Sequence, residues 1–289
     1  VNHLFPFQQN KLLSELSTFG IGGPARLFIE AKEIRFLREL IVYCYREKLP
    51  YIILGKGSNC LFSDRGFNGL VILNKVAFLE QKGAEVYVGA GYSFSLLGVQ
   101  MARKGWSGLE FASGIPATVG GAIYMNAGAG GPETKDFLTE VTYITEEGEL
   151  LHLPKDKLQF SYRTSPFQGK KGAIAAARFE LTPLPEARQK QLEIVAYRTR
   201  TQPYGDKSAG CIFRNPPGGS AGALIEKCGL KGAQVGGAEI SSLHANFIVN
   251  KNGASAQDVL SLASHVKESV KERADIDLEM EIRVIPYDV

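Results

Sequence analysis

Between positions 33 and 48 apolar side chains return every three or four residues, at Ile34, Leu37, Ile41 and Cys44, which places them on one face of a helix. Pro50 stops that helix. Tyr51-Ile52-Ile53-Leu54 then reads as a short buried strand running straight into Gly55-Lys56-Gly57-Ser58-Asn59. From about 70 to 180, β-type runs recur at 69–73, 85–88, 141–144 and 173–176, divided by glycine-rich turns and one helical stretch at Phe94–Arg103.

Thr182-Pro183-Leu184-Pro185 is the clearest punctuation and the expected boundary of a last domain. Beyond it, 186–200 reads as a helix, and 221–228 as a short helix that stops at Gly229, where a left-handed cap costs little. Ser255-Ala256-Gln257-Asp258 forms the pattern of a capping box before a helix with Val259, Leu262, Ala263, Val266 and Val270 on one face. The run 278–284 alternates apolar and charged residues like a half-exposed strand. The expected organisation is α+β: two glycine-rich lobes at 1–70 and 71–185, then a C-terminal α/β domain at 186–289.

Composition narrows the class. With 44% hydrophobic and 22% charged residues in 289, the chain is globular. The balance of 33 Lys plus Arg against 30 Asp plus Glu, a net +3, argues against a nucleic-acid partner. Its 32 glycines bunch without a three-residue period, which points to loops built from backbone. The segment 1–10 lacks a basic region followed by an apolar run, so no secretory leader is expected. The uncharged run 111–132 is long enough to span a bilayer, but Pro116, Asn126 and glycines at 114, 120, 121, 128, 130 and 131 make it a buried loop-and-turn segment. No membrane contact is expected. The four cysteines form no C-x-x-C pair and the four histidines stand apart from them, so neither a disulfide framework nor a metal site is expected, and the compartment is cytoplasmic.

Five constellations could carry chemistry. Gly55-Lys56-Gly57-Ser58-Asn59 lets backbone N–H groups converge on an anion, or is simply a tight turn; Cys60 breaks the dinucleotide fingerprint. Gly114-Ile115-Pro116-Ala117-Thr118-Val119-Gly120-Gly121, continuing to Asn126 and Gly128, suits close approach to a flat or phosphorylated ligand, or equally a packed bend between strands. Arg163, between aromatic and hydroxyl neighbours, could fork onto a carboxylate. Cys211 stands in Ser208-Ala209-Gly210-Cys211-Ile212-Phe213-Arg214-Asn215-Pro216; a thiol with a reference pKa near ~8.5 is protonated at neutral pH and can donate to a carbanion-like centre. Glu279, Glu281 and Arg283 alternate on one expected strand face.

Taken in order, these segments resemble the UDP-N-acetylenolpyruvoylglucosamine reductase family. The likeness is carried by Thr18-Phe19-Gly20-Ile21-Gly22-Gly23, Leu54-Gly55-Lys56-Gly57-Ser58-Asn59, Gly108-Leu109-Glu110 with 114–128, and Tyr162-Arg163-Thr164-Ser165. It continues through Gln202-Pro203, 208–216, Gly229-Leu230-Lys231-Gly232, His244-Ala245-Asn246-Phe247 and the closing strand, covering about 18–285. The short run 167–173 leaves little room for the tyrosine-bearing loop inserted in one branch, so the other branch is expected.

The resemblance implies a two-lobed FAD-binding domain of the PCMH/vanillyl-alcohol-oxidase type plus the C-terminal substrate domain, in a monomer that takes NADPH and a small-molecule UDP-sugar. FAD would contact Gly55, Gly57, Ser58, Asn59, Gly114, Ile115, Pro116, Thr118, Gly120, Gly121, Asn126 and Gly128. Arg163 and Glu281 map beside the substrate carboxylate, and Cys211 maps onto a proton-donor position where many members have serine. Arg214, Asn215 and Asn246 map onto substrate contacts, with Arg198 and Gln202 as weaker candidates; Glu279 is set aside in favour of Glu281. The competing readings are an FAD oxidase of the same fold and a flavin- or nucleotide-binding module without enzymatic activity.

Overall fold

The computed structural model describes residues 5–288, so the first four residues of the 1–10 segment lie outside it. In chain order, β1 (Gln8–Leu12) and β2 (Pro24–Ala31) precede α1 (Ile34–Arg46), and β3 (Tyr51–Leu54), β4 (Cys60–Phe62) and β5 (Phe67–Asn74) follow it. Next come β6 (Leu79–Lys82), β7 (Glu85–Gly89), α2 (Phe94–Arg103), β8 (Trp106–Ser107) and α3 (Val119–Tyr124). Then β9 (Leu138–Thr145), β10 (Leu150–Pro154), β11 (Gly172–Glu180) and β12 (Thr182–Pro183) lead into α4 (Ala187–Thr201). The remainder runs β13 (Ser208–Cys211), α5 (Ala221–Lys227), β14 (Gln234–Val235), β15 (Ala238–Ile240), β16 (Phe247–Asn250), α6 (Ala256–Ala274) and β17 (Arg283–Ile285).

The helices form where side chains close their ends. Ser93, Ser220 and Ser255 each accept a main-chain N–H three residues on, at α2, α5 and α6. At α6 the box is reciprocal, since Ser255 N–H donates to Asp258 at 2.9 Å. Gly229 takes the expected left-handed cap, with φ +73°.

The contacts divide the chain into two units: residues through Phe28, 57–69 and 199 onward in one, and 29–56 with 70–198 in the other. The first unit holds the antiparallel sheet β13-β16-β15-β14, whose Ile240 and Ile248, with Ile212 just past β13, share a core with Val259, Leu262 and Val266 of α6. Here β17 lies parallel to β4, Arg283 opposite Cys60 and Ile285 opposite Phe62. The second unit holds the antiparallel sheet β10-β9-β11-β7-β6, and its core joins Val86, Val88 and Phe179 to Phe94 and Met101 of α2 and Ile123 of α3. Each of these large side chains, fully withdrawn from water, contributes about 2 kcal/mol.

Two expectations need correction. The run 111–132 is not loop throughout: a 3-10 turn occupies Glu110–Gly114, and α3 passes through Gly120 and Gly121. Glycine disfavours a helix, but Thr118 caps this one, and Gly120 packs where a Cβ would crowd Ala90. The alternating run 278–284 is strand only from Arg283; Met280 makes a single bridge to Phe213, and the chain bends at Ile282. Consequently Glu279 and Glu281 do not form one regular row with Arg283. Thr182 and Pro183 pair with Ser107 and Trp106, and one of the changeovers between the two units lies between 198 and 199.

Candidate active site

In the second unit, β3 delivers Gly55 against the start of α3, where any Cβ would collide with Thr118 Oγ1. Lys56 Nζ donates to Ser93 Oγ at 3.3 Å, and Ser93 bridges to Thr118, so this corner is closed by side chains from three segments. The N–H groups of the glycine-rich segment are largely spent: Ile115 donates to Ala112 O, Ala117 to Ile115 O, Val119 to Tyr92 O, Gly120 to Ala90 O and Gly121 to Thr118 Oγ1. What this segment presents is therefore shape, with half-buried Ile115 and exposed Pro116 on the surface, and few main-chain donors.

Asn126 is fully buried in the left-handed region, at φ +43°. Its amide donates to Glu133 Oε2 and Ser161 O, each at 2.9 Å, and its oxygen accepts Lys135 N–H at 3.1 Å. Asn126 thus ties the loop around Gly128 to the Arg163 turn; Glu133, which sequence reasoning missed, is its acidic partner. Ser161 and Thr164 exchange main-chain hydrogen bonds, leaving Tyr162 and Arg163 at the tip of a two-residue turn. Arg163 has φ +55°, a conformation that costs a non-glycine residue about 1–2 kcal/mol. Its Nη2 donates to Gly128 O at 3.1 Å, its guanidinium lies 4.9 Å from the Tyr162 ring centre, and its carbonyl accepts from Gln168.

The first unit gathers Gly57, Ser58, Asn59, Cys211, Arg214, Asn215, Asn246 and Glu281. Gly57 is buried at φ +61°, and a Cβ there would run into Leu16 O, so only glycine fits. The N–H groups of Gly57 and Ser58 make no main-chain hydrogen bond among the described residues, which leaves them suited to an anion. Asn59 turns inward: its Nδ2 donates to Glu281 O at 3.1 Å, and its carbonyl accepts Arg283 N–H at 2.9 Å.

Cys211 follows an irregularity in β13. Ser208 pairs with Val249 but Cys211 pairs with Phe247, and the extra residue is absorbed around Gly210 at φ +78°. Such a bulge re-aims the side chain that follows it. Thr18 Oγ1 anchors the start of this strand through Ser208 O at 2.7 Å, a local role for the Thr18-to-Gly23 motif that its sequence did not disclose. Past Cys211, Ile212 O accepts Glu281 N–H at 2.7 Å and Arg214 N–H donates to Glu279 O at 2.9 Å. Arg214 Nε is buried without a partner, and its Nη1 stands 3.8 Å from Glu279 Oε2. Asn215 accepts Ala221 N–H at 3.0 Å, helping to start α5. Asn246 is buried and its amide faces Phe213. Cys60 lies beside this cluster on β4, and burial pushes its thiol up to about 11 despite the nearby Arg283 cation.

Among the described residues, no three His, Cys, Asp or Glu gather as a metal set, and no helix is long and apolar enough to cross a membrane.

The chain, with the Arg163 turn in one α+β unit and the Gly57 turn and the bulge before Cys211 in the other, falls among the FAD-binding oxidoreductases by its likeness to known proteins. Residues 25–154 match the FAD binding domain family, and residues 202–285 match the UDP-N-acetylenolpyruvoylglucosamine reductase C-terminal domain family. The chain is 58% identical over 285 residues to the UDP-N-acetylenolpyruvoylglucosamine reductase of Protochlamydia amoebophila, covering 98% of this chain and 95% of that one. It is 48% identical over 292 residues to that of Chlamydia muridarum, with 99% and 98% covered. The crystal structure of the Thermus caldophilus enzyme superposes with a TM-score of 0.84 at 39% identity, over 97% of this chain and 100% of that one. The chain belongs to the UDP-N-acetylenolpyruvoylglucosamine reductase family and is an oxidoreductase of that type, which bears out the resemblance seen in the sequence.

Proposed function

We propose that this protein reduces the enolpyruvyl group of UDP-N-acetylglucosamine enolpyruvate to give UDP-N-acetylmuramate, with NADPH as the hydride source. FAD, when bound, supplies the means of accepting that hydride and passing it to the vinyl carbon C3. Gly57 and Ser58 would hold its phosphates by main-chain donors, and Gly55, Gly114, Ile115, Pro116, Thr118, Gly120, Gly121 and Gly128 would shape the surface beneath it. The division of labour is lobes 1–70 and 71–185 for FAD and 186–289 for the sugar nucleotide. We take the enzyme to be a cytoplasmic monomer working without nucleic acid or membrane.

Hydride arrival at C3 leaves negative charge at C2, spread into the adjacent carboxylate. Arg163, already fixed in one pose, balances that charge through its guanidinium. Cys211 delivers the proton from Sγ to C2. An ionised Glu281 would repel the enolate, so we assign it either the protonated form, in which it donates a hydrogen bond, or an orientation set through a cation or water. The unpartnered Nε of Arg214 is set to meet an acidic part of the substrate, beside Asn215.

The observation that carries this reading is the tie between Cys211 and Glu281: the bulge aims the thiol, and the next peptide's carbonyl holds Glu281 by its N–H. The test is anaerobic. NADPH should bleach the yellow protein, and the enolpyruvyl substrate should restore the colour. Cys211→Ala should bleach normally and recover at least about 100-fold more slowly; Cys211→Ser should keep substantial turnover. Recovery only on admitting air, with peroxide formed, would identify an oxidase; failure to bleach would identify a binding module.

A further inference from the structure

Asn246 carries a polar side chain into the core of the first unit, only 3% exposed. Its Oδ1 accepts Phe213 N–H at 3.0 Å and its Nδ2 donates to Phe213 O at 2.8 Å, so one amide occupies both hydrogen-bonding groups of one residue. Its main-chain carbonyl accepts Ile212 N–H at 2.9 Å, and its own N–H donates to His244 Nδ1 at 3.2 Å. Gly222 seals the other side, where an added Cβ would stand 3.6 Å from that of Asn246.

The position of this clamp is informative. The ladder between β13 and β16 ends at the Cys211–Phe247 pair, and immediately afterwards Asn246 supplies from a side chain what a strand would have supplied from its backbone. Upstream of Cys211 the chain has a bulge at Gly210, a weak point; downstream it is held on one side by Asn246 and on the other by Glu281 N–H. The amide groups that would reach a substrate are already committed to Phe213.

We infer that Asn246 is a positioning residue for proton delivery, acting through the Ile212–Phe213 backbone on the aim of the Cys211 thiol, and is not a substrate contact. This rests on the assignment of Cys211 as proton donor. Proton transfer to carbon is steep in distance, and a misplacement of about 1 Å costs up to about 100-fold in rate.

Rapid-mixing measurements on FAD-loaded Asn246→Ala test this. Bleaching by NADPH and the substrate Kd, read from the perturbed flavin absorbance of the oxidised enzyme, should stay within about twofold of the parent. Reoxidation by the substrate should slow by about 10- to 100-fold and show a larger solvent deuterium isotope effect. In a Cys211→Ala background the same change should cost nothing further. A raised Kd with losses that add to those of Cys211→Ala would make Asn246 a substrate ligand; unchanged reoxidation would also overturn the proposal. Where Asn246→Ala does not retain FAD, the uncharged Asn246→Ser, which keeps a hydroxyl in place of the amide, is judged by the same readouts. Full reoxidation in Cys211→Ala alone would instead remove the assignment on which the inference stands.

Discussion

The side-chain amide of Asn59 donates to the main-chain oxygen of Glu281 at 3.1 Å, while Asn59 O receives Arg283 N–H at 2.9 Å. The glycine turn and the segment bearing the acidic residue are therefore one hydrogen-bonded piece. Losing the side-chain bond in Asn59→Ala should cost about 1 kcal/mol and lower the Tm by about 3 °C. Asn59→Asp should be at least as harmful, because a carboxylate cannot donate to the carbonyl it faces; thermal melts of the FAD-loaded variants check the ranking.

Gly57 and Gly83 have nearly equal φ, +61° and +58°, but a Cβ at Gly57 would strike Leu16 O while one at Gly83 meets nothing within 4 Å. Gly83→Ala should therefore cost only the left-handed conformation, about 1 kcal/mol. Gly57→Ala should cost about 3 kcal/mol or more and lower the FAD content. Urea midpoints and flavin-to-protein absorbance ratios separate the two.

Glu279 is 77% exposed in its side chain and meets Arg214 at 3.8 Å, whereas Glu281 is half-buried and held through both groups of its backbone. Glu281→Ala should slow reoxidation by the enolpyruvyl substrate about 100-fold, and Glu279→Ala by less than about threefold. Stopped-flow traces showing the reverse order would exchange the two assignments.

Asp258 accepts N–H groups from Ser255 and Gly237, which hold its carboxyl below the usual 3.8. A carboxylate with a depressed folded pKa stabilises the fold above its unfolded value, and that contribution is lost as pH falls through the folded one. The stability gap between the parent and Asp258→Asn should be constant from about pH 5 to 7 and close below the unfolded value near ~3.9. Urea melts across that range read it directly.

Sequence made α1, α2, α5 and α6 legible because periodicity and capping residues act locally. It did not disclose α3, whose glycines oppose a helix until Thr118 and Ala90 meet them. The alternation of 278–284 was real, but the strand was cut short because Glu281 finds its partners in Ile212 and Asn59, far away in the chain. Arg163, Cys211 and Glu281 entered as candidates through the family resemblance, not through periodicity. How an asparagine spends its amide was not readable: Asn126 bonds Glu133 and Ser161, and Asn246 bonds Phe213. The bulge at Gly210 was equally silent, since a glycine before a cysteine looks the same in a turn or a strand.

The parallel pairing of β4 with β17 joins segments far apart in the chain, with Asn59 and Glu281 separated by 222 residues. On the ribosome, Leu61 and Phe62 leave the exit tunnel long before Val284 and Ile285, the residues they pair with, have been made. A nascent chain in that state displays an unsatisfied apolar edge, the kind of surface chaperones bind. A chain cut before Arg283 would thus leave β4 without its parallel neighbour.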